Sequence, residues 1–236
     1  MNLFDAVYII NLPTRTDRRA EMIEQLQLAG IEEGDPRLVF FDAVRPDGPG
    51  GFPTVGARGC FMSHLGVLKR ARDAGHQTIL VLEDDVNFAI AGPSDLDVLS
   101  RRLGECDWDM VYPGFLSINP PVELTSPVSV VEPASTVMGT HMMLIRRKLF
   151  DDAIDYFERM LTRPTGSPEG GPMHVDGAYS WFRRTHPSLV TRVCSPPLGY
   201  QRPSRTDVHQ LKWFDRMPIV RSLVEELRKA RAKTRA

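Results

Sequence analysis

The sequence predicts an α/β protein: a mixed, largely parallel sheet flanked by helices, in one domain. Three observations predict it. Short apolar runs alternate with helix-period segments through the first 85 residues. Those runs are almost continuously hydrophobic, as strands covered on both faces are. Gly or Pro punctuates most changes of element. Strand–helix–strand alternation implies parallel pairing through crossovers.

Ala6–Leu12 (AVYIINL) reads as a buried strand ended by Pro13. Thr14–Arg19 turns into a helix whose Met22, Ile23, Leu26 and Ala29 share a face, and Gly30 stops it. Arg37–Phe41 (RLVFF) is the second strand. Arg45–Thr54 is rich enough in Gly and Pro to be a loop. Ala57–Ala74 is helical, with Phe61, Leu65, Leu68 and Ala71 in register, and Thr78–Leu82 is the third strand.

The second half is less regular. Trp108–Tyr112, Val128–Glu132 and Leu189–Cys194 read as strands, and Thr136–Ile145 as one strand bent at Gly139. Lys148–Leu161 and Asp176–Arg184 read as helices, and Ser195–Thr206 as irregular. Thr162–Pro172 is a loop of lid-like, flexible composition. We assign residues 1–217 to the domain and 218–236 to a basic amphipathic helix. Ile219, Val220, Leu223, Val224 and Leu227 form the apolar stripe of that helix, and Arg/Lys crowd its end. Such a helix can dock on the domain or lie on an anionic membrane.

The 236 residues carry a formal net charge of −1, so nucleic acid is not an expected partner. The cysteines Cys60, Cys106 and Cys194 are odd in number and widely spaced, which fits a reducing compartment. No apolar segment approaches the roughly 20 residues a spanning helix needs. The N-terminus reads as a first strand rather than a leader, and a cytoplasmic location is expected.

The chemistry concentrates at strand ends, where ligands of such sheets bind. Leu82 leads into Glu83-Asp84-Asp85. Strand alternation aims Glu83 and Asp85 one way and Asp84 the other. Two carboxylates on one side suit a hard cation such as Mn²⁺ or Mg²⁺. The alternative is an acidic turn capping a helix. After the first strand, Asn11 to Arg19 sets Arg15, Arg18 and Arg19 near a helix N-terminus, against its dipole. Guanidinium and backbone N–H groups there can receive a diphosphate. The alternative is solvated surface arginines.

Three motifs in order carry a family resemblance: INLPTRTDRR (Ile10–Arg19), GARGCFMSH (Gly56–His64) and LEDD (Leu82–Asp85). Gly139-Thr140-His141 and Val175-Asp176 follow. Together they resemble the family 25 glycosyltransferases, which include lipopolysaccharide glycosyltransferases and collagen β-galactosyltransferases. The resemblance reaches to about Asp207. It implies a GT-A type, Rossmann-like fold, a UDP-sugar donor, and inverting transfer of a hexose, galactose being usual, to a glycan or lipid-linked acceptor. It makes Glu83-Asp84-Asp85 a DxD-type motif, with Glu83 and Asp85 as metal ligands and His209 as a late-chain third. Asn11, Arg15, Arg18, Arg19, Ser63, His64 and Asp84 are then expected at the donor.

An inverting transfer needs a base, and Asp176 is the choice; the alternative is that Asp176 caps the helix starting at Gly177. Ser63 and His64 can instead satisfy helix or core polar groups. Cys60 reads as a small buried residue, not a nucleophile, because no motif places a base beside it. Met142-Met143 departs from the family pattern. Two other classes compete: a non-catalytic carbohydrate-binding or scaffold relative, against which the retained acids and arginines argue, and a Mg²⁺-dependent phosphohydrolase, which would need an Asp nucleophile or a second metal cluster that the sequence does not show.

Overall fold

The computed structural model describes residues 3–90 and 92–202. Seven strands form the central sheet: β1 (Ala6–Asn11), β2 (Leu38–Asp42), β3 (Thr78–Glu83), β5 (Met110–Gly114), β7 (Val128–Val131), β9 (Met142–Arg146) and β10 (Thr191–Cys194). Their spatial order is β2-β1-β3-β9-β5-β10-β7. Strands β1, β2 and β3 pair in parallel, Val7 lying between Leu38 and Leu80. Strand β9 inserts antiparallel between β3 and β5, and β7 runs antiparallel on the edge. Strand β10 pairs in parallel with β5, so the sheet is mixed, and only its β2-β1-β3 part is joined by local crossovers.

Each strand feeds two cores by alternation. Tyr8, Val81 and Met143 pack with Phe61, Leu68, Phe157 and Phe182. Those aromatics come from α2 (Val55–Asp73), α4 (Phe150–Thr162) and α5 (Val175–Thr185). Val7, Ile9, Leu80 and Leu82 pack with Met22, Leu26, Leu99 and Leu103 on the other face. That side is covered by α1 (Thr16–Leu28) and α3 (Pro93–Gly104). A buried Val or Leu contributes roughly 1.5–3 kcal/mol, so these layers supply most of the cohesion.

Three expectations change. The strand expected over 136–145 is two: β8 (Thr136–Met138) and β9. They part at Gly139, whose φ is +89°. Strand β8 pairs instead with β6 (Ser117–Asn119), while β4 (Val86–Phe88) pairs with β11 (Gly199–Gln201) inside the stretch read as irregular. Helix α3 was not expected, although Pro93 at its start and the Leu99/Leu103 pair were available signals. The loop of lid-like composition is tied down: Thr165 Oγ1 donates to Gly51 O (2.7 Å), and Arg163 Nη1 donates to Glu169 O (2.6 Å). Among the described residues no helix is long and apolar enough to cross a membrane. The expected helix at 218–236 lies outside the described residues.

Candidate functional site

The carboxyl ends of β1 and β3 open onto a cavity of about 570 Å³. Glu83, Asp84 and Asp85 line it together with Arg18, Cys60, Ser63, Thr140, His141, Asp176, Gln201 and Arg202. The segment Ala43–Pro46 and the first turns of α2 also line it. Gly59 permits their close approach, since a Cβ there would sit 2.5 Å from Val44 O.

The acidic turn follows directly from strand pairing. Ile10 is opposite Glu83, so Asn11 comes next to Asp84. Asn11 Nδ2 donates to Asp84 Oδ2 at 2.7 Å. Arg18 reaches back from the first turn of α1 and places Nη1 2.5 Å from Asp84 Oδ1 and 3.7 Å from Asp85 Oδ2. All three of these ionic side chains are at most 10% exposed, so their attraction is weakly screened. Arg18 is thus the first positive partner of the acidic triplet. The end of β11 closes the turn: Gln201 Nε2 donates to Asp85 Oδ2 (3.2 Å), Arg202 N to Asp85 O (2.7 Å), and Arg202 Nη2 to Asp84 O (3.1 Å).

Glu83 turns elsewhere. It accepts from Thr140 Oγ1 at 2.7 Å, and His64 Nε2 lies 3.6 Å from its Oε1. Burial pushes the Glu83 carboxyl up, but His64 and Thr140 outweigh this, and its pKa falls below the usual value. Asp85 goes the other way. Burial first, and the Glu83 charge second, push it up to about 7 against the pull of Arg18. One guanidinium therefore leaves negative charge uncompensated here. Glu83 and Asp85 both border the cavity, and their oxygens fit a hard divalent cation, which would relieve that excess.

Of the arginines expected at the donor, Arg18 borders the cavity. Arg15 pairs with Asp17 at 2.9 Å, and Arg19 lies over the Phe40 ring at 3.7 Å; neither lines the cavity. Ser63 Oγ donates to Gly59 O (2.7 Å) and accepts from Val44 N (2.8 Å), fastening α2 to the segment above it. Helix α5 starts at Val175 with His174 as N-cap, so Asp176 is in its first turn rather than before it. Asp176 accepts from Gly177 N (2.8 Å) and Gly139 N (3.4 Å) and borders the cavity. His209 lies outside the described residues.

The sequence reading missed Thr140, His141, Gln201 and Arg202 as parts of the site. Thr140 and His141 are buried at the break between β8 and β9. Burial pushes the His141 imidazole down, toward its neutral form. Their signal was the Gly139 break itself. Cys60 has a partner after all: it is four residues before His64 on α2, and that spacing sets both on one helix face. Burial raises the Cys60 thiol well above its ordinary value, and Glu83 and Asp85 push the same way, so it remains a neutral thiol.

No protein-family model matches the chain. Procollagen galactosyltransferase 1 of Danio rerio is 33% identical over 129 residues, 47% of this chain and 21% of that protein. Inactive glycosyltransferase 25 family member 3 of Homo sapiens is 30% identical over 138 residues, 51% of this chain and 23% of that protein. The chain thus spans about a fifth to a quarter of the length of these curated relatives. A crystal structure of a glycosyltransferase involved in glycosylation of the major capsid of PBCV-1 superposes with a TM-score of 0.50 at 11% identity. That superposition covers 95% of this chain and 99% of the other, and the shared fold is GT-A-like.

Proposed function

We propose that this chain, a homologue of glycosyltransferase 25 family members, transfers a hexose from a UDP-sugar to a glycan hydroxyl in the cavity at the ends of β1 and β3. The observation that carries this reading is the convergence of Glu83, Asp85 and Asp176 on one cavity. A divalent cation held by Glu83 and Asp85 would neutralise charge on the departing diphosphate.

The chain's own residues do the rest. Arg18 and Asn11 hold Asp84 and so fix the acidic turn against β1. Asp176 takes the proton of the acceptor hydroxyl as that oxygen attacks the anomeric carbon. The bond to the diphosphate breaks, and the nucleoside diphosphate leaves with the electron pair. The N–H groups of Gly139 and Gly177 orient the Asp176 carboxylate without protonating it.

The test is release of UDP from a panel of UDP-hexoses with Mn²⁺ and a glycan acceptor. D176N is expected to keep donor affinity and to lose roughly 10²–10⁴-fold in turnover. Normal turnover by D176N would remove Asp176 as the base. A second reading, a non-catalytic carbohydrate binder, is favoured by the relatives whose names mark them inactive. It predicts glycan binding with no UDP release at all.

A further inference from the structure

Cys60, His64 and Glu83 each offer a potential ligand atom, and these atoms all lie within 4.8 Å of one another. Among the described residues no other set of three His, Cys, Asp or Glu side chains does so. His64 is the second, independent sign. Its side chain is fully buried, yet neither Nδ1 nor Nε2 has a hydrogen-bond partner among the described residues. A buried imidazole left unsatisfied is costly, and such groups call for an explanation.

We propose that Cys60 Sγ, His64 Nε2 and Glu83 form a second cation site, one for a borderline-soft divalent ion of the Zn²⁺ class. The 3.6 Å from His64 Nε2 to Glu83 Oε1 is too long for a hydrogen bond. It is close to the N–O edge of a tetrahedral zinc centre, about 3.3–3.6 Å for Zn–N and Zn–O bonds of roughly 2.0–2.2 Å. The three ligand types, thiolate, imidazole and carboxylate, are those that zinc combines. The spacing is structural in origin: Cys60 and His64 are one helical turn apart on α2, and Glu83 ends the strand beneath. Cys60 and Glu83 both border the cavity, so an ion can enter from solvent. Binding releases the thiol proton to water, and three protein ligands leave one position open. An ion held there draws on Glu83, the carboxylate also offered to a hard cation. The site shares Glu83 with the proposed reaction, but its occupancy can be tested without nucleotide or sugar transfer.

Co²⁺ is the probe, added to the full-length reduced protein without nucleotide. The expected result is one tightly bound Co²⁺ per chain, with a thiolate-to-cobalt charge-transfer band and the visible absorption of a tetrahedral ion. C60S removes the charge-transfer band. H64Q keeps the band but weakens binding by more than about tenfold, the loss that even outer-shell changes cause. C106S leaves both unchanged, and thermal unfolding shows that each variant is folded. Mn²⁺, which disfavours thiolate, does not displace Co²⁺ at equal concentration. Absence of Co²⁺ binding, binding without the thiolate band, or a band that survives in C60S would overturn the proposal.

Discussion

At neutral pH the turn Glu83-Asp84-Asp85 sets three carboxyl groups against the single buried guanidinium of Arg18. Removing that guanidinium leaves Asp84 and Asp85 buried without compensation. R18M is therefore expected to cost roughly 3–5 kcal/mol in urea unfolding, as broken buried pairs do. Asp85 adds a pH signature. Its folded pKa, about 7, is above the unfolded value near 3.8. The folded state thus binds the extra proton, and this stability is complete below pH 4 and lost as pH rises through 7. Glu83 has the opposite sign, and its contribution is lost as pH falls through its lowered pKa. The melting temperature of the metal-free protein should fall between pH 5 and about 7.5, and D85N should flatten that fall. A wild-type melting curve that rises over this window would contradict the charge imbalance at Asp85. The pairing of Arg18 with Asp84 was not legible in the sequence, because 66 residues separate them and only strand register joins them.

At the scale of elements, α2 matters most, since it carries Cys60, Ser63 and His64 over the end of β3. Its closeness depends on Gly59. G59A must push α2 away from Val44 O, and we expect a loss of about 1–3 kcal/mol, the usual cost of overpacking. The same variant should weaken nucleotide binding, measured by calorimetry, because the upper wall of the cavity moves with the helix. Helices α1, α2, α4 and α5 were legible from sequence within a few residues. Elements of three residues were not: β4, β6, β8 and β11 are too short for a period to show. The break at Gly139 illustrates the cost. One apolar run divides between two sheets, and the residues at the division, Thr140 and His141, belong to the site.

For the whole molecule, the parallel β2-β1-β3 part of the sheet was readable because its crossovers are short in sequence. The rest was not. Strand β9 lies between β3 and β5, and no local pattern announces that insertion. The insertion is what brings Thr140 and His141 beside Glu83, at the level where β1 and β3 end. The proposed site therefore depends on a non-local pairing, while the motifs that hint at it are local. Acid, guanidinium and candidate base come from chain positions 18 to 176, and only the closed sheet unites them.

In the proposed reaction this union receives a diphosphate through a divalent cation. Calorimetric titration of UDP into the full-length protein, with Mn²⁺ and with chelator, measures it directly. One UDP per chain is expected to bind only when Mn²⁺ is present, with D85N weakening it by more than about tenfold. UDP binding of equal strength in chelator and in D85N, or none under any condition, would contradict it.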